Sequence, residues 1–354
     1  MRTRNFLLIL FVAVATAAMA KNPKNIIIMI GDGMGINQVQ AAFTANGGTL
    51  NMTDRCPVIG YSKTNSANDY TTDSAAGGTA IAGGKKTNNG MIGVAPDGSL
   101  IPSILAVSKK SGLATGVVST SSVTHATPAS FVAHEQSRSD DENIAADFLD
   151  SDIDVFIGGG RKFFETRKDG RNISEELKQK GYQVVYTLED ARNAKPGKMG
   201  ALVTAEHLAP IKDRDPNFLA DASIAAINAL KNNKKGFVLM IEGSQIDWGG
   251  HANDADYMIG ETLDFDRAVG KVLDFAEADG NTLVVITADH ETGGVAISKG
   301  DYEKKEITVK FTSKGHTASP VPIFAFGPGA EKVAGFRENT SFFNQFTNLL
   351  RLKK

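Results

Sequence analysis

Six short runs of apolar residues constrain the fold of this chain more than any other feature of its sequence. The first run is NIIIMI at 25–30, and hydrophobicity within the runs is continuous rather than alternating. A continuous run predicts a strand that is buried on both faces, as in a parallel sheet that lies between two layers of helices. The predicted strands are 25–30, 114–119, 155–157, 183–186, 237–241 and 282–287.

Helical patterns occupy much of the sequence between these runs. The predicted helices are 103–111, 140–149, 174–180, 220–231 and 257–278. Alternating strands and helices indicate an α/β fold, with a doubly wound, mostly parallel central sheet and helices on both faces. We expect one domain over 21–354, with a short charged excursion from the core at about 292–315.

The first twenty residues have the three parts of a secretory signal peptide. MRTRN is a basic start, FLLILFVAVATAA is apolar, and AMA at 18–20 is a small-residue cleavage site before Lys21. A membrane anchor is the alternative, but the apolar part is short for a span and no charged stop sequence follows it. We therefore expect an exported protein, periplasmic or secreted, with no membrane span in its mature chain.

Charge and cysteine content exclude further classes of protein and site. The 38 Lys and Arg nearly balance the 40 Asp and Glu, so the net charge is −2 and no basic excess exists to neutralise nucleic-acid phosphates. We therefore expect no nucleic-acid binding. Cys56 is the only cysteine, which rules out an intramolecular disulfide. We interpret it as a buried or incidental thiol rather than a nucleophile.

Acidic or imidazole side chains follow three of the predicted strands. Asp32 follows the first strand, Glu242 the fifth, and Asp289 and His290 the sixth. Ligands bind beyond the carboxyl ends of the strands in sheets of this kind. A single aspartate at a strand end is usually a helix cap or a turn former. Three strands that deliver such side chains to one edge indicate a binding site instead.

Several histidines are candidates for binding a metal ion. Asp247 and His251 lie four residues apart in EGSQIDWGGH, a spacing that can chelate a metal on one face of a helix. On its own, such a pair is more often a solvated surface pair. His251, His290 and His316 lie beside Asp or Gly in strand-end or loop contexts, where an imidazole is free to bind zinc. The histidines interpreted as ordinary helix or loop residues are His134 and His207.

Ser74 is the candidate nucleophile. It begins the small-residue segment SAAGGTAIAGG, where free backbone N–H groups at the start of a helix suit an anionic phosphoryl oxygen. A plain N-cap serine is the alternative. A Ser-His-Asp hydrolase is poorly supported, because GxSxG is absent and no histidine follows at the required spacing. A metal ion could activate the serine instead.

Six motifs occur in order over nearly the whole mature chain. They are KNIIIMIGDGMG at 24–35, TDSAAGG at 72–78, the segment 118–138, IEGSQIDWGGH at 241–251, TADH at 287–290 and GHT at 315–317. Together they resemble the alkaline phosphatase family. A single motif such as GDG is a weak signal, but six in register are specific. The resemblance implies hydrolysis of small phosphate monoesters to an alcohol and inorganic phosphate.

The resemblance also implies a role for each matching residue. Ser74 would form a phosphoserine intermediate, and Arg138 would bind two non-bridging phosphate oxygens, which suits a bidentate guanidinium. Two zinc ions and one magnesium ion would be bound. The implied ligands are Asp247, His251 and His316 for one zinc, Asp32, Asp289, His290 and Ser74 for the second, and Asp32, Thr127 and Glu242 for magnesium.

Two positions depart from the best-known bacterial pattern of the family. His125 stands where that pattern has Asp, and Trp248 stands where it has Lys. Imidazole is a better partner for zinc than for magnesium, so we expect magnesium to bind more weakly at the third site or zinc to compete there. Trp248 could be a simple core aromatic, but its position beside Asp247 predicts that it lines the phosphate site.

Other functions are kept as alternatives. Related phosphodiesterases typically use Thr as nucleophile and lack both the third metal and the arginine, and sulfatases need a C/S-x-P-x-R context that TDSAAGG lacks. The chain could also be a non-catalytic exported protein that binds phosphate or metal. The loss of a metal-ligating residue would favour that function, and none of these residues is missing. Family members are often homodimers. Only 25 residues separate His290 from His316, so the crown-like insertion is reduced and the oligomeric state stays open.

Overall fold

The computed structural model describes residues 22–352, so the predicted signal peptide lies outside the described residues. The strands within this range are β1 (Asn25–Gly31), β2 (Val58–Lys63), β3 (Ala114–Ser122), β4 (Val155–Gly159), β5 (Gln183–Val185), β6 (Met199–Leu202), β7 (Phe237–Gly243), β8 (Thr282–Thr287), β9 (Glu291–Thr292), β10 (Val295–Asp301), β11 (Glu306–Phe311), β12 (His316–Thr317), β13 (Val321–Phe326) and β14 (Gly335–Glu338).

Helices of very different length connect these strands. They are α1 (Ile36–Ala45), α2 (Asn51–Asp54), α3 (Ser74–Gly83), α4 (Ile104–Lys110), α5 (Ala126–Ala129), α6 (Asp141–Asp150), α7 (Arg161–Glu165), α8 (Ile173–Gln179), α9 (Leu188–Arg192), α10 (Phe218–Leu230), α11 (Ile246–Ala252), α12 (Ala255–Asp279) and α13 (Ser341–Leu349). Short 3-10 segments lie at Ile211–Asp213 and Ala330–Val333.

Ten of the strands form one mostly parallel sheet, in the order β14-β2-β13-β8-β1-β7-β3-β4-β6-β5. β1 lies inside this sheet with parallel neighbours on both sides, so that Ile28 is opposite Met240 of β7 and Val285 of β8. β13 runs antiparallel to both of its neighbours, β8 and β2. The predicted α/β fold with a mostly parallel central sheet is confirmed.

Both faces of the sheet are covered by helices. On β1, Ile27 and Met29 pack into a cluster with side chains of α1, α10 and α12. Ile26, Ile28 and Ile30 point to the opposite face and pack with side chains of α3, α4, α6, α8 and α13. Alternate residues of a strand point to opposite faces, so a strand between two helical layers must be apolar at every position. This explains the continuous apolar run in the sequence.

Four adjacent strands end at the same edge of the sheet. β8, β1, β7 and β3 are consecutive neighbours and run parallel. Asp32 follows β1, Glu242 is the next-to-last residue of β7, Asp289 lies two residues beyond β8, and His125 lies three residues beyond β3. The fold therefore delivers these side chains to one region, as expected for ligand sites in such sheets.

The charged excursion folds as a hairpin outside the central sheet. β10 and β11 form a separate antiparallel pair, and the chain then returns so that His316 of β12 pairs with Thr292 of β9. The excursion thus leaves and re-enters at the edge that carries Asp289. Within residues 22–352, no helix combines the length and the apolar character that a membrane span requires.

Candidate active site

Ser74 is the first residue of α3, and Asp73 caps this helix. Asp73 Oδ1 accepts a hydrogen bond from the Ala76 N–H at 2.9 Å. The Ser74 hydroxyl is therefore not used as a cap. It lies 3.1 Å from His290 Nε2, and the residue is only 2% exposed. The alternative in which Ser74 is a plain N-cap serine is wrong.

Glycines in α3 let the helix approach the end of β8 closely. A Cβ atom on Gly77 would lie 3.1 Å from the carbonyl oxygen of Asp289, and one on Gly78 would lie 2.9 Å from Ser130 Oγ. Distances this short force a neighbour to move, so larger residues would push α3 away from the sheet edge. The small-residue composition of α3 therefore places Ser74 beside His290.

Arg138 is held beside the start of α3 by Asp73. Its Nη1 donates to Asp73 Oδ2 at 3.0 Å, and the same oxygen accepts the Gly90 N–H at 2.9 Å. Arg138 Nη2 lies 3.4 Å from His125 Nε2. One carboxylate therefore caps the helix that carries Ser74 and also orients a guanidinium next to it.

The first cluster of possible metal ligands consists of Asp247, His251 and His316. Asp247 Oδ1 lies 3.3 Å from His251 Nε2 and 3.4 Å from His316 Nε2, and the two imidazole nitrogens are 3.1 Å apart. The opposite ring nitrogens face carbonyl oxygens, with His251 Nδ1 at 2.5 Å from Lys314 O and His316 Nδ1 at 2.9 Å from Thr72 O. A proton on Nδ1 leaves each Nε2 free to bind a metal.

The second cluster, Asp32, Asp289 and His290, is fully buried. His290 Nε2 lies 3.4 Å from Asp32 Oδ1, 3.2 Å from Asp289 Oδ2 and 3.1 Å from Ser74 Oγ. Burial, and then the charge of His316, hold the pKa of His290 well below its ordinary value. A neutral imidazole nitrogen and several oxygens therefore converge on the nucleophile candidate.

The third cluster surrounds Glu242 at the end of β7. Glu242 Oε2 accepts hydrogen bonds from the hydroxyls of Ser119 and Ser244, both at 2.7 Å, which leaves Oε1 to face the site. Thr127 Oγ1 lies 3.4 Å from Asp32 Oδ2. Asp32 therefore contributes one oxygen to the second cluster and one to the third.

Burial raises the pKa of the carboxyls in the second and third clusters. It raises the pKa of Glu242 to about 7, and burial together with the charge of Asp247 raises the pKa of Asp289 to about 6. Burial, and then the charges of Asp289 and Asp247, raise the pKa of Asp32 well above its ordinary value. The ionised forms of these groups need nearby positive charge to be stable.

The pKa of Asp247 is shifted in the opposite direction. Burial alone would raise its pKa, but hydrogen bonds with His251 and His316 hold the pKa of Asp247 well below its ordinary value. The same hydrogen bond is the main reason that the pKa of His251 is raised to about 9. This cluster is therefore electrostatically different from the two that surround Asp32.

The residues present fit metal ions on their own chemistry. Asp32 Oδ1, Asp289 Oδ2 and Glu242 Oε1 are buried and have no hydrogen-bond partner among the described residues. An unpartnered buried carboxylate oxygen is costly, and a cation would satisfy it. Possible ligand atoms lie within 4.8 Å of one another in three groups, which are Asp247 with His251 and His316, Asp32 with Asp289 and His290, and Asp32 with His125 and Glu242.

The structure brings His125 together with Asp32 and Glu242, at the third site where zinc is expected from the sequence to compete, and it adds several supporting residues that the sequence did not single out. Thr292 Oγ1 donates to Asp247 Oδ1 at 2.5 Å and lies 3.2 Å from His290 Nδ1, so one hydroxyl joins the first two clusters. The supporting side chains, namely Asp73, Ser119, Ser244 and Thr292, are polar residues whose role depends on partners distant in sequence. No local pattern distinguishes them from ordinary polar residues.

Trp248 lies in a group of three aromatic rings at the rim of the site. Its ring centroid is 6.2 Å from that of His125 and 5.0 Å from that of His207, both in edge-to-face geometry. His207 also contacts His125, at 5.7 Å and 88°. His207, interpreted from sequence as an ordinary residue, is therefore a neighbour of two candidate site residues.

Cys56 is buried, and burial raises the pKa of its thiol to about 12, which fits an inert side chain.

Comparisons with known proteins place this arrangement in one family. The profile described as alkaline phosphatase matches residues 23–305. Alkaline phosphatase 4 of Bacillus subtilis is 35% identical over 94% of this chain and 89% of the relative. The alkaline phosphatase of Escherichia coli is 34% identical over 94% of this chain and 87% of that protein.

Solved structures agree with the sequence relatives. The alkaline phosphatase from the Antarctic bacterium TAB5 superposes with a TM-score of 0.89 at 42% identity, covering 95% of this chain and 100% of that chain. A variant of the TAB5 enzyme, in which a histidine is replaced by aspartate, superposes with the same TM-score at 41% identity and has magnesium bound, again with 95% and 100% of the two chains covered.

Proposed function

This chain belongs to the alkaline phosphatase family and is a phosphatase, and we propose that it hydrolyses phosphate monoesters through a phosphoserine formed on Ser74. The observation that carries the proposal is the convergence on Ser74 Oγ. His290 Nε2 lies 3.1 Å away, the carboxylates of Asp32 and Asp289 face the same nitrogen, and Arg138 is held next to the same helix start.

Two successive displacements at phosphorus account for hydrolysis. Ser74 releases its hydroxyl proton to solvent as Oγ attacks the phosphorus, the bond to the alcohol oxygen breaks, and the leaving alcohol takes up a proton from solvent. Water then attacks the phosphoserine, which releases inorganic phosphate and restores the Ser74 hydroxyl. A covalent intermediate divides one difficult reaction into two easier steps. Because this family uses metals in place of a general base, no serine-hydrolase triad is needed.

Arg138 would bind the phosphoryl group in both steps. Its Nη1 donates to Asp73 Oδ2 at 3.0 Å, which orients the planar guanidinium, and the side chain remains 28% exposed. A fixed guanidinium suits two non-bridging phosphate oxygens better than an ammonium group would. The hydrogen bond that Arg138 donates to Asp73 therefore reduces the entropy lost when phosphate binds.

We assign metal ions to the three clusters by donor chemistry. Asp247, His251 and His316 would hold one zinc, and Asp32, Asp289, His290 and Ser74 a second, since zinc takes nitrogen and oxygen ligands. Asp32, Thr127 and Glu242 would hold magnesium, which prefers oxygen, and His125 beside them would favour zinc as a competitor. When bound, such ions stabilise the attacking and leaving oxygens of an in-line displacement.

Substitution of Ser74 tests the proposal. Ser74→Ala should abolish turnover of a chromogenic phosphomonoester but leave phosphate binding largely intact, because Arg138 and the metal ligands are retained. Wild-type protein should yield a phosphoenzyme trapped at low pH and should transfer phosphate to added alcohols. Ser108→Ala is the matched control, since this serine is also buried, on α4, and its hydroxyl has no hydrogen-bond partner within residues 22–352.

A fully active Ser74→Ala variant, without any trappable phosphoenzyme, would exclude the phosphoserine. The bis-ester of the same chromogenic alcohol separates the monoesterase from the diesterase alternative, which would prefer the bis-ester. Both assays should lose activity on chelation. A protein that bound phosphate and metals but turned over neither ester would instead be a binding protein.

We also propose export of this protein to the periplasm or the medium. The proposal rests on the basic, apolar and small-residue parts of residues 1–20. Export would make the enzyme meet small phosphomonoesters outside the cytoplasm. A homodimer stays a prediction from the resemblance, and sedimentation of the purified mature chain would measure the oligomeric state.

A further inference from the structure

His207 lies on the loop after β6, and this loop is fixed on both sides of the histidine. A Cβ atom on Gly159 would lie 1.9 Å from the carbonyl oxygen of Glu206, so the loop packs against the end of β4 at a distance that only glycine permits. On the other side, the buried Gln245 donates its Nε2–H to Leu208 O at 3.0 Å. The backbone that carries His207 is therefore anchored to the sheet edge.

The imidazole of His207 has its own fixed orientation. Its Nδ1 accepts the backbone N–H of Ser122 at 3.0 Å, so the ring proton sits on Nε2. With Nδ1 bound in this way, the ring stands edge-to-face against Trp248 at 77° and against His125 at 88°. Edge-to-face ring pairs at these separations stabilise one relative orientation.

Trp248 makes ring contacts with both histidines. Its ring contacts are with His207 and His125, and no hydrogen bond to the indole N–H is present within residues 22–352. The orientation of the indole is therefore set by packing. His125 in turn lies 3.4 Å from Arg138 Nη2, so the three rings form a connected wall that ends at the phosphate-binding guanidinium.

We propose that His207 is a positioning residue, which holds the rings of Trp248 and His125 against each other so that His125 stays beside Arg138, and thereby strengthens phosphate binding. The inference rests on the proposed role of Arg138 in binding phosphate. A purely structural role is the alternative, in which His207 matters only because its Nδ1 accepts the Ser122 N–H and so fixes the loop. Substitutions of His207 can remove the aromatic ring and the hydrogen-bond acceptor one at a time.

Two variants make this separation. His207→Phe keeps an aromatic edge against Trp248 but loses the acceptor, whereas His207→Asn keeps an acceptor near the position of Nδ1 but loses the ring. His207→Ala loses both, and His134→Ala is the matched control because His134 lines a separate pocket beside Leu105 and Asp147. Trp248 is the only tryptophan of the chain, so its fluorescence reports on this one site.

The measurements are inorganic phosphate affinity, the steady-state constants for a chromogenic monoester, and acrylamide quenching of Trp248 fluorescence. His207→Ala and His207→Asn should weaken phosphate binding and raise KM about two- to tenfold, the range expected for a lost aromatic pair. The value of kcat should change less. Quenching should increase in both variants, while His207→Phe should resemble wild type.

A double-mutant cycle gives an independent readout. Because His207 and Trp248 hold His125 as one packed group of rings, His207→Ala should add little to the phosphate-affinity loss of Trp248→Ala, which is the non-additivity of a coupled pair. Rescue by His207→Asn but not by His207→Phe, or additive losses in the cycle, would overturn the proposal. Unchanged quenching in His207→Ala would overturn it as well. These outcomes differ from a failure of the proposed phosphatase function. In that case wild-type protein would not hydrolyse the monoester, whereas the quenching assay would still report on Trp248 because it needs no turnover.

Discussion

At the scale of single residues, the site depends on which atom of a side chain faces which partner. Asp289 Oδ1 accepts the backbone N–H groups of Gly33 and His290, at 3.3 and 3.0 Å, so only Oδ2 remains for a metal. Asp32 divides its oxygens between two clusters. Each carboxylate is thus oriented by neighbours before any ion binds, and this preorganisation is what supporting hydrogen bonds contribute to metal sites.

Exchanging His125 and Trp248 for the residues of the best-known bacterial pattern should change both metal preference and phosphate retention. In His125→Asp with Trp248→Lys, the carboxylate adds an oxygen ligand that magnesium prefers and the ammonium adds positive charge near Arg138. We expect tighter magnesium and phosphate binding and a lower kcat, because product release often limits turnover. Magnesium titration of the chelated protein and phosphate inhibition measure these effects.

The single variants His125→Asp and Trp248→Lys show which substitution changes magnesium binding and which changes phosphate binding. His134→Asp is the control for a carboxylate that is added outside the site. If the double variant kept the magnesium dependence and the phosphate inhibition of wild type, the two positions would have no part in ion or phosphate binding.

At the scale of elements, the start of α3 couples helix stability to substrate binding. Asp73 Oδ1 caps the helix, and Oδ2 binds Arg138 and the Gly90 N–H. Aspartate at an N-cap also interacts favourably with the helix dipole. The Asp73 side chain therefore caps the helix that carries Ser74 and also positions the Arg138 guanidinium.

Two substitutions of Asp73 should separate these functions. Asp73→Ala should lower the free energy of unfolding by about 1 kcal/mol, the usual cost of a lost cap, and weaken phosphate binding. Asp73→Asn retains a capping oxygen but turns an amide toward two donors, so we expect weaker phosphate binding with a smaller loss of stability. Denaturant unfolding and phosphate inhibition measure the two effects. Asn172→Ala, which removes the equivalent cap of α8, should change stability alone.

If Asn172→Ala and Asp73→Ala weakened phosphate binding equally, the effect would reflect general loosening of the fold rather than the contact with Arg138.

At the scale of the whole molecule, the site gathers side chains from distant parts of the chain. Asp32 and His290 are far apart in sequence, with β2 to β8 lying between them, yet their side-chain atoms lie 3.4 Å apart. Metal ions that bind between such side chains would bind the folded chain but not the unfolded chain, where the ligands are far apart. Metal binding must therefore add to the free energy of unfolding.

Removal of the metals should lower both activity and stability. A bound ion at a free concentration a thousand times its Kd contributes about 4 kcal/mol per site, so Tm should fall on chelation and recover when zinc is restored. Calorimetry before and after chelation measures the change. A melting temperature that stays constant after complete zinc removal would contradict a metal-stabilised core.

The metal-free protein should lose stability as pH rises from neutral to alkaline values. The pKa of His251 is raised to about 9, mainly by its hydrogen bond with Asp247, and burial raises the pKa of Glu242 to about 7. The folded chain holds these protons more tightly than the unfolded chain, so the contribution of Glu242 is lost as pH rises from about 4.5 to about 7, and that of His251 is lost as pH rises from about 6.5 to about 9. Below about pH 6.5 the raised pKa values of the buried carboxyls are opposed by two histidines, because burial lowers the pKa of His125 to about 3 and holds the pKa of His290 well below its ordinary value.

Thermal melting of chelated protein across this pH range measures the profile. His251→Gln should flatten the decline above about pH 7, whereas His134→Gln should leave it unchanged. A stability that increased steadily from neutral to alkaline pH would disagree with the assignment of protons to His251.

The sequence alone determined the fold class, the position of most buried strands and the candidate side chains at their ends. Continuous hydrophobicity reports burial on both faces, and this property is local to each strand. Only the tertiary structure decided that β13 runs antiparallel, that Asp73 rather than Ser74 caps α3, and that His207 stands against Trp248. His207 and its partner Ser122 are 85 residues apart. A local pattern predicts that a residue is buried, but its partner is chosen by the packing of elements that are far apart in sequence.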